Sequence, residues 1–146
     1  MLIEHKVTVR RALPEVWRMI SNFEDYPRWQ PHTRLAKVTP NDPVRQGSML
    51  YVEKNDPFGV TFVNADLIEY QRNKLIDMKG VYGRFRFRRT IELSLSGTET
   101  QVRDRIEINP GCLYFWYTPL LRALLNGQMQ REWDAVKKAL ENRESA

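Results

Sequence analysis

From Arg84 to Leu95 the residues sort by parity. Phe85, Phe87, Ile91, Leu93 and Leu95 fall on one face of an extended chain, and Arg84, Arg86, Arg88, Thr90, Glu92 and Ser94 fall on the other. Strand side chains alternate between faces with period two, so this stretch is a half-buried strand. After Ser96-Gly97 the pattern returns, with Val102, Ile106 and Ile108 set against Arg103, Arg105 and Glu107. A two-residue turn at Ser96-Gly97 pairs Leu95 with Thr98 and sets Ile91 opposite Val102, Phe87 opposite Ile106 and Phe85 opposite Ile108. The apolar faces then coincide, which supports the pairing and requires something apolar to cover them. One polar pair interrupts the inward rows: Arg89 and Asp104, directly opposite in this register. On the outward face the same register sets Arg88 against Arg105, an unfavourable contact unless an anion lies nearby.

The cover is at the end of the chain. Thr118 is placed as an N-cap and Pro119 at the first helical position. Leu121, Leu125, Met129, Trp133, Val136 and Leu140 then form one helical stripe, broadened by Leu124. Gly127 in mid-helix either marks a close approach by another group or is merely tolerated. Earlier, Ile3, His5, Val7 and Val9 alternate with polar residues and read as a first strand. Pro14 suits the first turn of a short helix carrying Leu13, Val16, Trp17, Ile20 and Phe23, and EDYPRWQP reads as an irregular helical turn followed by a loop. Turn signals between Thr33 and Asn109 recur at strand-length intervals. Both registers of 48–54 and 60–70 carry apolar residues, so their faces stay open. The sum is an α+β fold: about seven antiparallel strands, two short helices after the first, and a long C-terminal helix around which the sheet curls.

Three segments carry a family resemblance over essentially the whole chain: VTVRRALPEVWRMISNFEDYPRWQP, GTETQVRDRIEI and MQREWDAVKKALE. They resemble the superfamily of START-related lipid-transfer domains, the birch-pollen allergen and the polyketide cyclases, which share the helix-grip fold. The resemblance implies one ligand-binding domain over 1–146, with a deep cavity between curved sheet and last helix that holds a lipid, polyketide or other apolar molecule. It also implies, from the aromatase/cyclase relatives, a cavity arginine that orients or polarises the ligand, a role that would fall to Arg89. A fold shared by carriers, cyclases and regulators does not choose among them.

The 146 residues carry a net charge of +5 and a lone cysteine, Cys112, which excludes an internal disulfide framework and a multi-cysteine zinc site. No signal peptide is evident at the N-terminus, and a reducing, cytoplasmic setting is the expectation. No nucleophile elbow, zinc-protease motif, phosphate-binding loop or dinucleotide fingerprint occurs, so no cofactor and no metal is expected. Arg89 has two readings: a structural ion pair with Asp104, or a cavity guanidinium that binds an anionic or polar ligand end. Phe87, Ile91, Leu125, Met129 and Trp133 would line the cavity. His5 shares the inward face of its strand, while His32, after Pro31, is expected to be exposed. In the run from Leu113 to Tyr117, Tyr114 and Trp116 either face the cavity mouth or pack the linker down.

The expected partner is a hydrophobic small molecule, with a cyclase/dehydrase as the enzymatic alternative. The outward arginines are read first as a solvated face relieved by Glu92 and Glu107. Contact with nucleic acid, a ribosome or a membrane is the less favoured reading, because no aromatic residues interleave there. Nothing in the sequence specifies an oligomeric state.

Overall fold

A computed structural model describes residues 1–40, 43–56, 59–111 and 116–141. Strand β1 (Leu2–Val9) leads into helix α1 (Leu13–Ser21), a 3-10 turn (Phe23–Asp25) and the single-turn helix α2 (Tyr26–Trp29). Six strands follow: β2 (Thr33–Thr39), β3 (Met49–Asp56), β4 (Gly59–Gln71), β5 (Leu75–Tyr82), β6 (Phe85–Ser96) and β7 (Glu99–Asn109). Helix α3 (Thr118–Glu141) closes the fold. The strands form one curved antiparallel sheet in the order β1-β7-β6-β5-β4-β3-β2. This is the helix-grip arrangement that the motifs imply. Among the described residues, no helix is long and apolar enough to cross a membrane.

The α1 stripe forms as its spacing predicts: Leu13, Val16, Trp17 and Ile20 are buried, and a proline occupies the first turn. In α3, Leu121, Leu125, Met129, Trp133, Val136 and Leu140 are all buried. Thr118 does not cap that helix, because its hydroxyl is buried without a partner. Gly127 marks no close approach: a Cβ there would meet only the Arg131 guanidinium at 3.7 Å, an ordinary contact. The two undecided strands resolve by burial. Leu50, Val52, Val63, Ala65 and Leu67 turn inward. Outside, Tyr51 and Phe62 stack on one another with centroids 6.4 Å apart. That mutual cover is why both faces look apolar in the sequence.

The β6–β7 register differs from the expected one by two residues. Ser96 pairs with Glu99, Ile91 with Asp104, Phe87 with Ile108 and Arg89 with Ile106. The turn is therefore Gly97-Thr98, and Gly97 has a φ of 64°. Both favoured two-residue hairpin turns need a positive φ at their first central residue, which glycine adopts readily and Ser96 would not. A shift of two keeps every side chain on its expected face but changes its partner. Arg88 faces Glu107, not Arg105. It also makes a bidentate contact with Asp77 at 2.7 and 3.1 Å. Arg103 and Arg105 both reach Glu4, at 3.2 and 3.4 Å. The expected like-charge contact on the outer face does not occur.

Candidate functional site

The concave side of the sheet and the buried stripe of α3 enclose a cavity of about 70 Å³. From the sheet come Val52, Val63, Met78, Phe87, Ile91 and Ile106; from α3 come Leu125, Met129, Trp133 and Val136. Tyr26 and Trp29 close one side. Their rings meet edge to face at 5.0 Å, and the Tyr26 hydroxyl donates to the Ile20 carbonyl. Trp29 is a thin wall. Its other side borders an open surface groove that includes Pro31, Arg131, Ala135 and Lys138. Its indole N–H is buried without a hydrogen-bond partner.

Five polar side chains converge on the floor, three of them buried (His32, Asp104 and Glu132) and two mostly covered (Lys54 and Arg89). Arg89 donates to Asp104 through Nε (3.0 Å) and Nη2 (2.6 Å), and Nη2 also reaches Glu132 Oε2 at 3.1 Å. The Trp133 indole N–H adds a bond to Asp104 Oδ2 at 2.8 Å. Lys54 Nζ donates to Glu132 Oε1 at 3.0 Å, and His32 Nε2 lies 3.3 Å from the same oxygen. Side-chain exposure is 14% for Arg89, 12% for Lys54, 4% for Glu132 and 0% for Asp104. Toward the rim, the Tyr82 hydroxyl lies 3.1 Å from Gln128 Oε1 and 3.3 Å from Asp56 Oδ1. Gln128 donates to the same Asp56 oxygen at 2.7 Å.

A buried carboxylate survives only with partners. Burial alone would raise the Glu132 carboxyl; the charges of Lys54 and Arg89 and the His32 hydrogen bond overcome it and hold the group well below its ordinary value of 4.5. Burial likewise works against the Arg89 charge, and Asp104 and Glu132 reverse that effect, so its pKa is raised. Burial first, then the neighbouring Asp56 charge, pushes the Tyr82 phenol up, so it stays protonated.

Because the folded Glu132 holds its charge below the unfolded value, its contribution to stability is present above about pH 4.5 and is lost as pH falls through the folded value. Glu132→Gln is expected to be about 2 kcal/mol less stable than wild type at pH 7. Urea unfolding at pH 7 and pH 3 should show that gap narrowing in acid. A gap that is constant with pH would mean Glu132 titrates normally in the folded protein.

The cavity brings together Phe87, Arg89, Ile91, Leu125, Met129 and Trp133. Asp104 sits behind Arg89, diagonal to it across the β6–β7 pair rather than opposite. His5 does not line the cavity: half-buried and paired with Asp104 across β1 and β7, its Nε2 lies 2.6 Å from Asn126 Oδ1 of α3. Trp116 is 76% exposed, its ring against Tyr117, and does not line the cavity. Tyr114 and Cys112 lie outside the described residues. His32 is 9% exposed, contrary to expectation, because the turn after α2 tucks its ring beneath α3, where Glu132 receives it. Lys54, Gln128 and Glu132 have readable signals in retrospect. Lys54 shares the parity of Leu50 and Val52, and Gln128 and Glu132 sit one turn apart beside the apolar stripe. Among the described residues, no group of three or more His, Cys, Asp or Glu side chains is placed to hold a metal ion.

Fold and enclosed site together define a START-related helix-grip protein. The profile of the family described as polyketide cyclase / dehydrase and lipid transport matches residues 2–141, and the chain belongs to that family. No curated protein matches the sequence. Among the solved structures of similar fold are the following three. A START superfamily protein from Mycobacterium smegmatis has a TM-score of 0.78 at 15% identity, with 97% of each chain covered. The Zhui aromatase/cyclase from a Streptomyces species has a TM-score of 0.79 at 15% identity, covering 98% of this chain and 94% of that one. A Thermus thermophilus protein has a TM-score of 0.79 at 11% identity, covering 94% and 95%.

Proposed function

We propose that the protein binds a mainly apolar small molecule between the concave sheet and α3. The carrying observation is the cavity itself: walls of aliphatic and aromatic side chains, with a few buried polar groups gathered at one end. This is the composition of small-molecule sites, in which burial supplies affinity and a small polar set fixes orientation. Family membership supports the same reading.

The volume adds a condition. Ligand pockets usually span about 300–1,000 Å³ and a cavity of about 150 Å³ takes one benzene. The 70 Å³ enclosed here is smaller than either, so a ligand must part the walls. Trp29, which lines both the cavity and the surface groove, is a wall whose movement would join them. Binding ranks before catalysis because the charged groups of the cavity are paired with one another rather than with a nucleophile.

The test is calorimetric titration with straight-chain alcohols from 1-butanol to 1-decanol. Each methylene buried contributes about 0.8 kcal/mol, so affinity should climb roughly fourfold per carbon until the space is filled. Met129→Trp, which fills the cavity from α3, should cut 1-octanol affinity by about tenfold or more. No saturable binding across the series, or an unchanged profile in Met129→Trp, would defeat the proposal.

A further inference from the structure

We infer that the cavity selects an uncharged ligand, one ending in a hydroxyl, ketone or amide, and that Glu132 sets this choice by cancelling the charge that Lys54 and Arg89 would otherwise offer an anion. The inference rests on the cavity being a ligand site, as proposed above.

Two cations border the space, Lys54 and Arg89. Each is already hydrogen-bonded to a buried carboxylate: Lys54 to Glu132, and Arg89 to both Asp104 and Glu132. Two positive charges thus meet two negative ones, with His32 adding a further donor to Glu132. A carboxylate or phosphate entering this space would face Glu132 and would have to break the Lys54–Glu132 contact to gain a counter-ion. A ligand ammonium would meet Lys54 and Arg89 in the same confined, poorly solvated space. Either ion is left buried without a partner of its own, the most unfavourable outcome in a protein interior.

A neutral polar end meets no such penalty. The Lys54 ammonium carries three N–H donors, Glu132 Oε1 is an acceptor 3.0 Å from it, and Gln128 lines the same cavity with a further amide oxygen. A hydroxyl can accept from the first and donate to the second; a ketone or amide carbonyl can accept from Lys54. Lys54 also sits 5.9 Å from the Tyr82 ring centre, within cation–π range, which keeps the ammonium beside the aromatic wall. The polar end is thereby placed between β3 and α3, with the apolar body running toward Ile91, Met129 and Trp133.

The experiment compares 1-octanol, octanoate and octylammonium by calorimetric titration at pH 7.5 on the wild-type chain. The expected order is 1-octanol at least tenfold tighter than either ion. In Glu132→Gln, octanoate should gain at least tenfold and overtake the alcohol. In Lys54→Gln the excess negative charge should instead favour octylammonium. The two variants shift the preference in opposite directions, which a general loosening of the fold would not do. Octanoate binding as tightly as 1-octanol in the wild type would overturn the inference while leaving the binding proposal intact. So would an unchanged order in both variants. Failure of all three probes to bind would overturn the inference together with the proposal beneath it.

Discussion

Asp104→Ala is expected to destabilise the protein by about 3–5 kcal/mol, the usual cost of breaking one side of a buried ion pair. Asp104 is fully buried and accepts three bonds, two from Arg89 and one from the Trp133 indole. Removing it strands a guanidinium and an indole N–H together. In a chain of this size the loss corresponds to roughly 10–15 °C in Tm, readable by thermal unfolding followed by circular dichroism. The companion variant separates charge from packing: Arg89→Met combined with Asp104→Leu should recover much of the loss, because apolar replacements of a buried pair are often neutral or better. A single-variant loss below about 1 kcal/mol would show that water reaches the pair and that the network is not a structural floor.

Gly80→Ala should be nearly as damaging, at about 3 kcal/mol. Ala65, Gly80 and Phe87 form one row across β4, β5 and β6. A Cβ on Gly80 would lie 1.8 Å from the Asn64 carbonyl oxygen and 2.6 Å from the Ala65 Cα. Both obstacles are backbone, so no side-chain rotation relieves them and β4 must move away from β5. Those strands carry Val63, Met78 and Tyr82, so the cavity wall shifts with them. Denaturant unfolding measures the loss; a stability within about 0.5 kcal/mol of wild type would show that the strands part freely at this point.

The faces of this fold are legible in its sequence and the contacts only partly so. Parity fixed which residues of β6 and β7 turn inward, and the α3 stripe emerged with every member buried. The register did not, because Ser96-Gly97 and Gly97-Thr98 are both two-residue turns and preserve the same alternation. Arg89 and Asp104 meet even so, since a long guanidinium spans the diagonal between strands. The polar floor was half visible. Arg89 stood out as a cation among phenylalanines, but Lys54 belonged to a strand with two apolar faces, and Glu132 lay on the flank of a helix whose stripe already had enough members. His32 read as exposed because a loop after proline carries no periodicity to reveal its direction. The cavity volume was not legible at all. It depends on how Tyr26, Trp29, Met129 and Trp133 fill the space, and composition sets the materials of a wall but not the gap between two of them.

The order of strands bears on how the protein is made. The meander from β2 to β7 can assemble hairpin by hairpin as it leaves the ribosome, but β1, translated long before, pairs with β7, Leu2 against Glu107 and Val9 against Thr100. Contacts so distant in sequence form late and leave apolar surface uncovered meanwhile. A nascent chain lacking α3 would present its whole concave face to chaperones, and the cavity would come into being only once that helix has docked.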